Sequence, residues 1–397
     1  MVGSSTCPAP GRRCSPAAGG YLPAVTAPVA SAPAAPELPV HPAAHRPGAG
    51  DPDWPTMTRI LVVRPDNVGD VIMTVPALRA LRAAAPRARI DLLASPAGAA
   101  AASLIDEVGE VVVASVSWQR LPGYGGDGHD PDGELVTTLA DRAYDAAVVL
   151  TSFSQSPWPA AAICRRAGIA VRVGTSKEFG GDALTHWVPA PPDGGHQVDR
   201  ALEVLAAVGV PSQGTDLAVR IPADADAQAP EGRYVVVAPG ASCPSRRWPA
   251  TRFAEVGRGL AERGWTVVVT GTAREAELVA EASAGVPGAV ELVGTLDLGG
   301  LAALVAGADA VVVNNSGGAH LADAVGTPVV ELFAGTEEVG QYAPRSVPAA
   351  VLTRAVSCAP CRQLVCPFDQ ECLDIAPGEV VAAVGEVATP REHFRSS

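Results

Sequence analysis

From Arg59 onward, short apolar runs alternate with helix-length amphipathic stretches. Arg59–Val63 reads as a buried strand, since an unbroken aliphatic run suits the interior of a parallel sheet. Val71 to Ala85 then carries helical spacing. The alternation continues through Arg89–Ala94, a helix near Ala97–Leu104, the short run Val111–Ala114 and a loop over 118–133. A helix near Glu134–Arg142 leads into a strand at Asp145–Leu150. Ala160–Ala167 and Ile169–Val173 form another helix–strand pair. Val198–Val208 places Leu202, Leu205 and Val208 on one helical stripe.

Residues 211–232, rich in Pro, Asp, Ala and Gln, interrupt this rhythm and read as a linker. A second series follows, opening with the strand Tyr234–Ala238 and the helix Thr251–Arg263, where Phe253, Val256 and Leu260 share a face. Trp265–Thr270, Glu275–Ala284, Ala289–Val293, Leu298–Ala306 and Ala310–Val313 continue it in strand–helix order. Pro328–Phe333 is a further strand and Glu379–Ala388 a closing helix. The pattern predicts an α/β protein of two Rossmann-like halves facing each other across a cleft. The expected division is 58–210, a linker at 211–232, and 233–397. No short repeat period is present, which excludes a solenoid.

Residues 1–56 depart from the pattern. They hold 12 of the chain's 37 prolines and little periodicity, too little to offset chain entropy by burial. A disordered extension is expected there; translation beginning at Met57 is the plainer reading. Elsewhere 48% hydrophobic and 18% charged residues suit a well-buried globular chain. The net charge of −13 argues against nucleic acid and against electrostatic docking on an anionic membrane. No apolar run reaches membrane-spanning length, and prolines break up the N-terminus where a signal peptide would lie. A cytoplasmic location is expected.

Candidate chemistry gathers at the ends of predicted strands. After Ala310–Val313 comes Asn314-Asn315-Ser316-Gly317-Gly318-Ala319-His320, then a helical run. Small residues at a helix start leave backbone N–H groups uncovered, and the helix dipole adds to their pull on phosphate oxygens. A ligand-free turn is the bland alternative. The first loop, Arg64-Pro65-Asp66-Asn67-Val68-Gly69-Asp70, lies where ligands bind in doubly wound sheets. Asp70 would open a helix facing the cleft, although Asp70 or Asp66 could equally be its N-cap. The loop lacks G-x-G-x-x-G, which sets aside a nicotinamide-dinucleotide oxidoreductase. In the second half, Pro239-Gly240-Ala241-Ser242 precedes Arg246-Arg247-Trp248-Pro249, two guanidiniums that could fork onto a diphosphate or form a solvated basic pair. Glu275 follows the next strand, placed like the acid that binds a ribose hydroxyl, though Glu also favours a first helical turn.

Taken together, Arg64–Leu78, Pro239–Pro249 and Asn314–Val330 resemble glycosyltransferase family 9, the heptosyltransferase-type enzymes of the GT-B fold. The resemblance covers most of residues 58–388. It implies transfer of a sugar, possibly heptose, from a nucleotide-diphosphate donor such as ADP-heptose to a hydroxyl of a glycan, lipid-linked or small-molecule acceptor. It further implies inversion at the anomeric carbon, no metal and no other cofactor. Acceptor binding would fall to the N-terminal half and donor binding to the C-terminal half. Asp70 matches the family's general base. Arg246 and Arg247 fall where the family contacts the donor phosphate, Glu275 falls near its ribose acid, and Ser316, Gly317, Gly318 and His320 match its phosphate-cradling loop, with Asn315 beside them also assigned to the donor. Many members carry Asp where this chain has Asn315, which keeps hydrogen bonding and loses the charge. Rival readings are a sugar-nucleotide epimerase or hydrolase on the same fold, and a catalytically silent sugar-nucleotide-binding protein.

Half of the eight cysteines, Cys358, Cys361, Cys366 and Cys372, crowd one short segment. They could hold structural zinc, or remain reduced or reversibly paired thiols.

Overall fold

The computed structural model describes residues 44–45, 50–119, 131–153, 155–179, 181–191 and 194–388. Two sheets form the frame, each with helices on both faces. The first contains β1 (Ala44–His45), β2 (Arg59–Arg64), β3 (Arg89–Ala94), β4 (Val111–Val113), β5 (Ala146–Val149), β6 (Val171–Ser176) and β7 (His186–Pro189). Their spatial order is β1-β7-β6-β5-β2-β3-β4, parallel throughout except for β1 against β7. Side chains of β2 alternate between two cores. Ile60 and Val62 pack with Leu78, Leu81, Leu202 and Leu205 from α2 (Val75–Ala84) and α6 (Gln197–Ala206). Leu61 and Val63 pack with Leu139 and Ile163 from α4 (Pro131–Asp141) and α5 (Trp158–Arg166). Two more short helices, α1 (Val68–Ile72) and α3 (Ala99–Ala102), sit at the strand ends.

The second sheet contains β8 (Tyr234–Ala238), β9 (Thr266–Gly271), β10 (Val290–Val293), β11 (Ala310–Asn314), β12 (Val329–Leu332) and β13 (Ala349–Leu352). All pairs are parallel, in the order β10-β9-β8-β11-β12-β13. α7 (Ala250–Ala261), α8 (Ala276–Ser283) and α12 (Pro377–Val387) bury Phe253, Val279 and Val384 against Val235 and Val237. On the opposite face, α9 (Leu298–Gly307) and α10 (Gly317–Ala324) bury Leu304 and Ala322 against Val236 and Val311. A short α11 (Val339–Tyr342) follows β12. Chain order reverses beside β2 in one sheet and beside β8 in the other. Crevices open at the carboxyl ends of strands at such points, and both candidate loops leave from there.

The two-sheet α/β architecture agrees with the periodicity, while several boundaries differ. The helix expected over Val71–Ala85 is two helices, because Pro76 sits in the first turn of α2, where a missing N–H costs nothing and φ is already helical. Strand β7 has no strong apolar run to announce it, and β13, a short apolar run, is not among the expected elements. The loop expected at 118–133 is a turn up to residue 119, and its 120–130 part lies outside the described residues. Most of the expected N-terminal extension, residues 1–43, also lies outside them. Its last residues are packed rather than free: Trp54–Thr56 forms a single 3-10 turn, Trp54 is 3% exposed, and its Nε1 donates to the Val208 carbonyl at 2.8 Å. Residues 211–232 run between the sheets without strand or helix. Among the described residues no helix is long and apolar enough to cross a membrane.

Candidate active site

β2 ends in a charged residue that is almost fully enclosed: Arg64 is 1% exposed. Burying a guanidinium demands partners, and carboxylates on both sides supply them. Its Nε lies 3.0 Å from Asp66 Oδ2, and its Nη2 donates to Asp70 Oδ1 at 2.9 Å. Ser152, just beyond β5, accepts from the same Nη2 at 2.9 Å and donates to Asp70 Oδ1 at 3.4 Å. Asp66 is buried; that burial raises its pKa while Arg64 lowers it, and both Gln155 and Gln119 donate to it. The N-cap position of α1 belongs to Asn67, so neither Asp66 nor Asp70 has that role. Asp70 lies within α1 with its side chain 21% exposed, held at one oxygen and open to the cleft.

The second loop is organised by side chains that bind backbone. Asn314 accepts from the Trp248 N–H at 3.1 Å and donates to the Pro239 carbonyl at 2.8 Å, tying the end of β11 to the turn after β8. Asn315 accepts from the Ala334 N–H at 3.3 Å. Ser316 is the N-cap of α10 and accepts from the Gly318 N–H at 3.4 Å. His320, one turn further on, is buried, and burial pulls its pKa down to about 4. It is therefore a neutral imidazole near pH 7.

These loops meet across a cavity of about 260 Å³, lined by Gly69, Asp70 and Ser152 on one side and by Arg246, Asn315, Ser316, Gly317 and His320 on the other. The approach of α1 to α10 is close enough to need glycine. A methyl carbon on Gly69 would fall 2.6 Å from His320 Cδ2, and one on Gly317 would fall 3.1 Å from the Gly69 nitrogen. Arg246 faces the cavity but is not a lone cation. It donates to Thr336 Oγ1 at 3.0 Å and to Glu337 at 2.9 Å, and Glu337 also holds Arg362 at 3.2 Å.

Three predicted residues stand apart from the cavity wall. Arg247 turns to the Ala241 carbonyl, donating from Nε at 3.2 Å and from Nη2 at 3.0 Å, so the Arg pair does not act as one fork. Glu275 closes a capping box with Thr272, and its Oε1 stands over Gly240, where a methyl carbon would lie 2.3 Å away. Gly318 faces Val313 beneath the loop. The sequence reading left out Arg64, Ser152, Glu331, Glu337 and Tyr342. Glu331 did leave a signal, being a charge inside an otherwise aliphatic strand; Arg64 ends β2 much as Arg59 begins it, and the other three are ordinary loop or helix residues brought in by the fold. Of the clustered cysteines, Cys372 has its thiol raised by burial and by the other three sulfurs nearby. Among the described residues no group of three or more His, Cys, Asp or Glu side chains is placed to hold a metal ion.

A family profile for glycosyltransferase family 9 (heptosyltransferase) matches residues 133–371. Lipopolysaccharide heptosyltransferase 1 of Pseudomonas aeruginosa is 28% identical over 333 residues, covering 78% of this chain and 88% of that protein. Among solved structures, a glycosyl transferase family 9 protein from Veillonella parvula superposes with a TM-score of 0.69 at 20% identity, over 85% of this chain and 98% of its own. An E. coli heptosyltransferase solved with ADP-2-deoxy-2-fluoro heptose gives a TM-score of 0.62 at 21% identity, over 83% of this chain and all of its own. These two likenesses carry the GT-B fold.

Proposed function

The chain belongs to glycosyltransferase family 9 (heptosyltransferase), and on that premise we propose that it transfers heptose, or a closely similar sugar, from an ADP-linked donor to a hydroxyl of a glycan or lipid-linked acceptor. The observation that carries this reading is the meeting of Asp70 with the Ser316–His320 loop across one cavity. The sheet built from residues 58–210 holds the acceptor in this proposal, the sheet built from 233–397 holds the donor, and 211–232 links them. The E. coli heptosyltransferase of this fold is solved with ADP-2-deoxy-2-fluoro heptose, which supports the choice of nucleotide and sugar.

In the proposed reaction the acceptor oxygen attacks the anomeric carbon from the side opposite the diphosphate. The bond from that carbon to the phosphate oxygen breaks, and its electron pair leaves with the diphosphate. One displacement inverts the anomeric centre. Asp70 takes the acceptor's proton: Arg64 and Ser152 hold Oδ1, which aims the carboxylate and leaves Oδ2 for the hydroxyl. A carboxylate is a weak base in water, so its contribution depends on this fixed position and on proton transfer concerted with attack.

Charge gathering on the departing diphosphate is met by the N-terminus of α10 and by Arg246. With Glu337 between Arg246 and Arg362, that wall carries one net positive charge, and this supports a transfer that does not call for a metal. Ser316 sets the loop, and Gly317 and Gly318 leave its N–H groups uncovered. Neutral His320 offers a ring N–H without adding charge. Arg247 supports the turn after β8, and Glu275 is assigned to the donor ribose through its Oε1. Asn315 fills its role at Ala334 with an amide oxygen as a carboxylate would, so it does not favour a silent binding protein. Buried free thiols at Cys164 and Cys243 suit the reducing cytoplasm, where we place the reaction.

A thermal-shift screen against ADP-, GDP-, UDP- and dTDP-sugars tests the donor assignment. A ligand at ~100 times its Kd adds about 2.7 kcal/mol to stability. A shift confined to ADP-heptose is the expected result. A shift with another nucleotide class alone refutes the ADP assignment, and none at all in folded protein refutes the donor site.

A further inference from the structure

β12 runs beneath the cavity, and its alternation puts Val329 and Glu331 toward α10 while Val330 and Leu332 face the opposite core. Glu331 is 1% exposed, lines the cavity, and has no hydrogen-bond partner for Oε2. Asp323 from α10 and Arg246 from the turn after β8 are the charges that act on it, and His320, Glu337, Asp66, Asp70 and Tyr342 share its cavity. None cancels its charge: Asp323 repels it, Arg246 is committed to Glu337, and His320 is neutral. Burial, strengthened by Asp323 and opposed only by Arg246, pushes this carboxyl well above the usual range. The wall beside the phosphate loop thus contains a buried carboxyl whose Oε2 has no partner in the protein and whose surroundings favour the neutral form.

We propose that Glu331 recognises the donor's diphosphate as a neutral acid, donating a hydrogen bond from its carboxyl to a phosphate oxygen. The inference rests on the donor-site reading above. Phosphate oxygens are acceptors only and carry charge, so an ionised carboxylate beside them would repel. A neutral acid instead provides the missing donor. The bound anion in turn disfavours ionisation of Glu331, so each partner keeps the other in its matching state. As the sugar departs, charge on the diphosphate grows and this hydrogen bond strengthens, which stabilises the transition state more than the bound substrate. No proton needs to cross.

The test is calorimetric titration of ADP, GDP, UDP and dTDP into the wild-type chain, Glu331→Gln and Glu331→Ala, each checked by thermal unfolding. Gln is neutral and keeps a donor, so its affinity is expected within about threefold of wild type at neutral pH. Ala removes a hydrogen bond to a charged group and is expected to bind about 10- to 100-fold more weakly. As pH rises through the range in which Glu331 ionises, the wild-type affinity is expected to decline, by up to tenfold per pH unit, and Gln to show no such decline. A Glu331 that served only to hold the fold would move stability and leave that pH profile alone. Wild-type affinity in the Ala variant, or the same alkaline profile in Gln and wild type, overturns the proposal while leaving the donor site standing. Failure of the wild-type chain to bind any of the four nucleotides overturns both. If the Ala variant does not fold, the comparison of Gln with wild type decides alone.

Discussion

Replacing Gly69 by Ala places one carbon in the tightest contact between the two loops. That carbon would lie 2.6 Å from His320 Cδ2 and 3.0 Å from Gly317 Cα. Carbon atoms in contact prefer about 3.5–4.0 Å, so α1 and α10 must separate by roughly 1 Å. Neither neighbour yields easily, since Gly317 presents backbone and the His320 ring is buried. Inside a closed core such overpacking costs about 1–3 kcal/mol. Here the contact lies at a cleft, and opening the cleft relieves it. We therefore expect little change in melting temperature and a large change in rate, because a displacement of about 1 Å from a reactive geometry can cost on the order of 100-fold. Release of ADP from ADP-heptose in the presence of acceptor gives kcat, and calorimetry gives ADP affinity. The expected result is kcat lowered about 100-fold with ADP affinity held within a few-fold. Wild-type kcat in Gly69→Ala would mean that turnover never brings the two loops this close, and the pairing of Asp70 as base with a diphosphate held at α10 would fail.

Further expectations concern separate parts of the chain. Asp70→Asn keeps an acceptor for Arg64 and removes the base, so transfer is expected to fall by about 10²- to 10⁴-fold with nearly unchanged ADP binding; matching losses of ADP affinity and stability would count against the role. Trp54→Ala removes a buried indole and its bond to Val208, which should lower the unfolding free energy by about 3–5 kcal/mol in urea titrations. An unchanged midpoint would show that the packing of residues 54–56 contributes nothing. The imidazole of His320 has its pKa lowered from 6.5 to about 4 in the fold. The unfolded chain therefore takes up the proton first: the contribution is full above about pH 6.5 and is lost as pH falls toward 4, by up to about 1.4 kcal/mol per pH unit. Melting curves across that range should be flatter for His320→Asn, and identical slopes would refute the burial of a neutral ring.

The sequence by itself determined the α/β alternation, the two series of strands with a linker between them, and the strand–turn–helix character of both loops. Each of these depends on near neighbours: the aliphatic period of a strand, a cap such as Ser316, small residues at a helix start. Asp70 and the Ser316–His320 segment were legible for that reason, as residues at the ends of recognisable strands. The partners of Asp70 were not. Ser152 comes from another strand end of the same sheet, and nothing around Arg64 marks it as the cation that both Asp66 and Asp70 enclose. Tertiary structure also separated Arg246 from Arg247, which read alike as adjacent guanidiniums; only the turn after β8 sends one to the cavity and the other to the Ala241 carbonyl. The burial that raises the Glu331 carboxyl and the glycine contact between α1 and α10 were decided there as well. Desolvation and steric contact depend on what packs against a residue from distant parts of the chain, and here those neighbours come from two sheets whose strand-end loops meet across one cavity.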